Sequence, residues 1–318
     1  MSTRGFRRFS VGVLTYNLAV VGWGAFVRAT GSGAGCGRHW PLCNGEVLPR
    51  GQALETLIEF THRVTSGISV ALAGVLAVWA FRVYARHHRV RKAAVASFVF
   101  LMMEALIGAG LVLLRLVAHD ASAGRGVGIV LHLLNTFALL AALTLTVHFA
   151  RGGSALRLRA QGLAGGLLLV GLGLLAVLGA SGAMTALGDT LFPATSLREG
   201  LLQDLSPAAS VYLKLRMWHP PLAVLTGAYL SYAAFAIARM REDLQVRRAA
   251  WALSGVFAVQ MAVGLLNLVL LAPVGLQLVH LLLADFTWMA FVWLAATALA
   301  TDAKVTVPSG VVLSSPSL

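Results

Sequence analysis

Charge is scarce in this chain, and acid is the scarcer sign. Asp and Glu together number 12 in 318 residues, and all charged residues make up 12%. Average soluble domains carry about 25%, so a water-facing globule of this length is excluded. Cysteine occurs only at Cys36 and Cys43, too sparse for a disulfide-dense scaffold or a four-cysteine zinc site. The apolar–polar alternation of membrane β-strands is missing, which excludes a β-barrel. No small-x-small cleavage site accompanies the first apolar run, which trails Arg4, Arg7 and Arg8. That run therefore reads as a retained helix rather than a signal peptide.

What the chain has instead is apolar length, with 58% hydrophobic residues. Eight runs, roughly 9–27, 64–81, 93–114, 126–150, 160–187, 217–238, 249–271 and 276–300, are close to or above the ~20 residues that cross a bilayer. In lipid only helices satisfy such backbones internally. The expectation is an all-α membrane protein with eight transmembrane helices.

The net charge of +13 invites a nucleic-acid reading, but 16 of the 25 Lys and Arg residues gather at alternate ends of the runs. They lie before run one, between runs two and three, four and five, and six and seven, and at Lys304. This positive-inside pattern predicts a multi-pass cell-membrane protein with both termini cytoplasmic. No basic stripe accompanies it, which excludes nucleic acid as a partner. Cys36 and Cys43 fall in the first loop of the opposite, oxidising face. On residues alone a disulfide, two free thiols and a metal pair helped by His39 all remain open.

An internal repeat organises the chain. His62 and His219 stand 157 residues apart, Arg91-Lys92-Ala93-Ala94 and Arg247-Arg248-Ala249-Ala250 156 apart, and His132-Leu133-Leu134 and His280-Leu281-Leu282 148 apart. Glu104 aligns with Gln260, and Gly108 with Gly264. Two four-helix bundles follow, 1–150 and 151–304, with 305–318 read as a disordered tail. An even number of runs per half makes them parallel repeats, related by a pseudo-two-fold axis along the membrane normal.

Histidines near helix ends in a bundle suit axial ligation of a haem iron. The pairs are His62 with His132, and His219 with His280. The competing reading is that each imidazole bridges helices by hydrogen bonds. His39, His87, His88, His119 and His148 occupy loops or an opposite helix end and are weaker candidates. Glu59, three residues before His62, shares its helical face, and Arg216 stands at the equivalent place before His219. A carboxylate there can accept a proton; an ion pair with Arg63 is its structural alternative. Arg63 and Arg216 suit the propionates of a haem, since guanidinium pairs bidentately with carboxylate. Glu104 reads as an interhelical hydrogen-bonding residue. Asp285, which aligns with Phe137, is left between orienting His280 and carrying protons. The glycine-rich Gly31–Cys36 stretch has neither the spacing nor the strand–helix context of a dinucleotide turn.

With these residues in view, the chain resembles haem A synthase, the membrane enzyme that converts haem O to haem A for terminal oxidases. The likeness covers nearly the whole length. It is carried by Val27-Arg28-Ala29-Thr30-Gly31-Ser32-Gly33, Cys36, Trp40-Pro41-Leu42-Cys43 and Glu59-x-x-His62-Arg63, then by His132 with Asn135, Gly188-Asp189-Thr190-Leu191-Phe192-Pro193, His219 and His280. The resemblance implies substrate haem O between His62 and His132, cofactor haem b between His219 and His280, and catalysis at Glu59. It implies a Cys36–Cys43 disulfide near the substrate. It also implies oxidation of a porphyrin methyl group to a formyl group through a diol that loses water. Some bacterial members carry a second cysteine pair in the second half; this chain does not.

Haem O synthase and an electron donor or acceptor are the implied partners. Glycine runs such as Gly171-Leu172-Gly173 allow the close helix contacts of a homo-oligomer. The alternative function is a di-haem b-type electron carrier without chemistry of its own, which leaves Glu59 unexplained. A transporter reading fits poorly, because the ionisable groups lie toward one face rather than the midplane.

Overall fold

The structure is a computed structural model that describes residues 2–50 and 53–300. The tail expected at 305–318, and Lys304, lie outside the described residues. Among the described residues nine α-helices and no strands occur. They are α1 (Thr3–Ala29), α2 (Leu54–Val83), α3 (Arg89–Leu113), α4 (Ala123–Ala150), α5 (Gly162–Leu191), α6 (Leu197–Leu205), α7 (Val211–Met240), α8 (Leu244–Val269) and α9 (Val274–Ala298). All but α6 are long and apolar enough to cross a membrane.

The helices overrun the apolar stretches that announce them. At 1.5 Å per residue, the 30 residues of α2 and of α7 extend about 45 Å, well beyond a ~30 Å hydrocarbon core. Glu59 and His62 therefore lie inside α2 rather than at its mouth. Polar caps set several starts: Ser2, Ser122 and Ser210 accept the N–H of Gly5, Arg125 and Leu213 at α1, α4 and α7, as expected of N-caps. The segment 188–210 contains the last turn of α5 and the whole of α6. The Ser196 hydroxyl accepts Glu199 N–H, and the Glu199 carboxylate accepts Thr195 N–H at 2.8 Å. This reciprocal capping is legible only when one looks for a short polar helix.

Packing follows one order in both stretches of the chain. Helix α1 packs on α2, α2 on α3, α3 on α4, and α4 back on α1; α5, α7, α8 and α9 close in the same sequence. The seam between them is built from α1, α4, α5 and α9. There the Trp288 indole N–H donates to the Phe137 carbonyl at 2.6 Å, with the two rings stacked 4.7 Å apart. At one end of the bundle Arg28 of α1 donates to the Ala186 carbonyl and Thr190 of α5 and to Gln277 of α9, at 2.7, 2.9 and 3.1 Å. At the other end Phe6 packs edge-on against Trp79 and Tyr84, and Arg157 N–H donates to the Leu299 carbonyl at 2.8 Å. The polar end thus holds Glu59, Cys36 and Arg28, and the basic end holds the α2–α3 and α4–α5 turns.

Candidate functional site

The four histidines of the repeat sit seven to ten residues into α2, α4, α7 and α9. Each ring lies against a glycine of the membrane-length helix before it. A β-carbon on Gly24 of α1 would stand 2.9 Å from His62 Cε1, and one on Gly182 of α5 would stand 3.0 Å from His219 Cε1. One on Gly264 of α8 would stand 2.9 Å from His280 Cε1, and one on Gly108 of α3 would stand 3.5 Å from His132 Nε2. Any side chain at the first three positions would force the imidazole to move.

The partners of the rings differ. His132 Nδ1 meets Glu104 Oε1 at 2.7 Å. The same carboxylate accepts from Asn135 and Thr136 of α4, both at 2.5 Å, so the interhelical role expected of Glu104 is present. Ser181 bonds His219 Nδ1 at 2.9 Å. With Nδ1 engaged, His132 and His219 keep Nε2 free, the arrangement by which a second group fixes a metal-ligating imidazole. Gln260 reaches His280 Nε2 at 3.3 Å. Among the described residues the buried Nδ1 atoms of His62 and His280 have no hydrogen-bond partner. Buried polar atoms are rarely left in that state.

Glu59 is 3% exposed. Its Oε1 accepts from the Arg63 guanidinium, with Nε at 3.1 Å, and its Oε2 accepts the Cys36 N–H at 2.8 Å. Gly35 makes the second contact attainable, because a β-carbon there would lie 2.5 Å from the Glu55 backbone. Cys36 and Cys43 form a disulfide, and the loop it closes is held to α2 by Thr56, whose hydroxyl donates to the Gly35 carbonyl at 2.8 Å. Arg63 also donates to the carbonyls of His39 and Leu42. The ion pair weighed for Glu59 is therefore formed, and Arg63 is occupied by protein groups.

Arg216 is likewise engaged. It pairs with Asp204 of α6 at 2.6 Å and Asp189 of α5 at 3.3 Å. Replacing it by Leu leaves two carboxylates unpaired and frees α6, a loss of roughly 2–3 kcal/mol for a partly buried network. Limited proteolysis between residues 197 and 205 in Arg216→Leu should precede global unfolding; cleavage no faster than in the parent chain contradicts that role. The proline pair Pro220-Pro221 inside α7 lacks two N–H donors, which leaves the carbonyls of residues 216 and 217 without helical partners beside His219. Asp285 is fully buried at the seam, and among the described residues neither carboxyl oxygen has a hydrogen-bond partner.

Among the described residues no cluster of three or more His, Cys, Asp or Glu could hold a metal ion by itself. Pairs of imidazoles meet a different need, since a porphyrin brings four nitrogens of its own. Two orphaned imidazole nitrogens and the glycine-backed rings make the donor set fit a haem. Sequence reasoning missed Gly24, Gly182 and Ser181. Gly24 and Gly182 stand 158 residues apart, so extending the repeat backwards from the histidines would have found them.

A family model described as cytochrome oxidase assembly protein, COX15-CtaA, matches residues 7–292. The chain is 47% identical over 296 residues to a Thermus thermophilus protein named protoheme IX farnesyltransferase, covering 93% of this chain and 49% of that protein. It is 45% identical over 95 residues to proteins named heme A synthase from Bacillus mycoides and Bacillus cereus, covering 30% of each. The chain thus spans half or less of the length of these relatives.

Proposed function

This chain belongs to the COX15-CtaA family of cytochrome oxidase assembly proteins, and we propose that within it the chain acts as a haem A synthase. It is a multi-pass membrane enzyme of haem biosynthesis, and its reaction on this reading oxidises a methyl group of haem O to a formyl group, a four-electron oxidation whose electrons pass to an acceptor outside this chain. The observation that carries the proposal is an asymmetry. Imidazoles backed by glycine recur in both halves, whereas the buried Glu59 stands one helical turn before His62 and the equivalent position before His219 is Arg216.

The two halves, 1–150 and 151–304, are read as parallel repeats with separate tasks. His62 and His132 hold substrate haem O through its iron. Glu104 fixes the His132 ring by its Nδ1 contact and so leaves Nε2 as the atom that would meet the haem. Arg63 fills one oxygen of Glu59, while Oε2 takes a single hydrogen bond from Cys36. A carboxylate oxygen has two acceptor sites, so Oε2 keeps one for the O–H proton of the diol as its other hydroxyl leaves as water. The disulfide loop holds this oxygen in place, and low exposure of Glu59 keeps water from competing. His219 and His280 would hold haem b, which would supply a one-electron redox centre. Ser181 orients His219, and Arg216, whose guanidinium is taken up by Asp189 and Asp204, would meet a propionate there only by giving up one of these aspartates. We assign the protein to the cell membrane with both termini cytoplasmic.

The Thermus relative, named for farnesylation of protohaem, resembles this chain over about half its length. Farnesylation is the step that yields haem O, which supports a haem O synthase as the neighbouring enzyme and partner. Extraction and chromatography of the pigments of the purified protein test the site assignments. Haem b together with haem O or haem A is expected; haem b at both sites would instead make the protein an electron carrier.

The glycine shelves give a sharper test. Gly264→Ala should lower second-site haem content by about tenfold, the scale seen when groups that orient metal ligands are lost. Gly255 lies on the same helix with nothing within 4 Å of a β-carbon. Gly255→Ala should keep full haem content and gain helix stability of up to about 1 kcal/mol. Equal haem content in the two variants removes the shelf from the site.

A further inference from the structure

A cavity of about 440 Å³ opens at the basic end of the bundle between α2 and α3. Arg86, Arg91 and Lys92 line it together with Val95, Val99 and Phe100. Residues 91, 95 and 99 are spaced by four, so they form one stripe running from the helix start toward the membrane interior. Phe81, also on its wall, is 19 residues beyond His62 on α2, about 28 Å along the helix axis. The cavity is therefore separate from the histidine sites.

Its cations are uncompensated. No Asp or Glu occurs between Glu59 and Glu104, and among the described residues none pairs with Arg86, Arg91 or Lys92. Arg91 is pre-set: it donates to the Phe81 carbonyl, lies 4.9 Å above the Phe81 ring, and keeps a buried Nε without a partner. Three basic residues, Arg89, Arg91 and Lys92, open α3 and add to the positive end of its dipole rather than opposing it. Topology alone does not explain this. The corresponding α7–α8 turn is also basic but contains Glu242 and Asp243. Its Asp243 caps α8, and its Arg241 donates to Gln161 at 2.7 Å.

We propose that this cavity binds an anionic phospholipid, its phosphate against Arg86, Arg91 and Lys92 and an acyl chain along Val95 and Val99. Both valines are exposed and face where hydrocarbon would lie. Juxtamembrane cations attract anionic headgroups, and a guanidinium suits a phosphate's paired oxygens.

Native mass spectrometry of the full chain, released from nanodiscs mixing phosphatidylglycerol with phosphatidylcholine, tests the proposal. The parent chain and the second-half control Arg247→Gln/Arg248→Gln are expected to retain phosphatidylglycerol selectively. Arg91→Gln/Lys92→Gln is expected to lose retention by on the order of fivefold per charge removed. Should that variant misfold, Arg86→Gln/Lys92→Gln alters two exposed side chains and should show the same loss. Equal retention of the two lipids, or equal loss in the first-half and second-half variants, overturns the proposal. Displacement of phosphatidylglycerol by millimolar inorganic phosphate would assign the cavity to a free anion and overturn it as well.

Discussion

Purified Glu59→Ala is expected to keep its second-half haem while haem A output falls by roughly two to four orders of magnitude, the usual worth of a positioned acid–base group. Unconverted haem O or an alcohol intermediate should accumulate in its place. Because Glu59 also anchors Arg63 and the Cys36 N–H, the alanine variant alone confounds chemistry with positioning. Glu59→Gln separates them. Its amide oxygen can still accept one of these bonds and fills the same volume, yet it cannot take a proton as a carboxylate does. Comparable losses in both variants place the chemistry on the carboxylate. Normal haem A output from Glu59→Gln would remove Glu59 from the mechanism.

His219→Ala and His62→Ala are expected to fail in different ways. Loss of an axial imidazole in the second half should reduce haem b occupancy by on the order of tenfold or more, seen in the reduced absorption spectrum. The first-half variant should retain that spectrum, bind no haem O and form no haem A. His132→Ala should behave as His62→Ala, and His280→Ala as His219→Ala. If all four variants lose the same pigment, the two halves do not divide the work.

The eight spans were readable because hydrocarbon-length apolar runs carry their own signal. Their ends were not, since α2 continues through Glu55, Glu59, His62 and Arg63, residues that lower hydropathy without breaking a helix. Helix α6 escaped because four leucines and five other residues make too short a run to register. The paired histidines and the Glu104–Gln260 equivalence were visible as spacing. The glycines behind the rings carried no chemistry of their own and showed only when side chains had positions. The occupancy of Arg63 by Glu59 and by loop carbonyls, and of Arg216 by two aspartates, depended on the folds of the α1–α2 loop and of α6. Neither segment has a periodic pattern to read.

Expression of the chain in cells that make haem O but not haem A, followed by chromatography of the extracted haems, tests the central claim most directly. The account predicts a haem A peak that appears with the parent chain and is lost with Glu59→Gln. Haem O left unconverted by a well-folded, haem-loaded parent chain would contradict it.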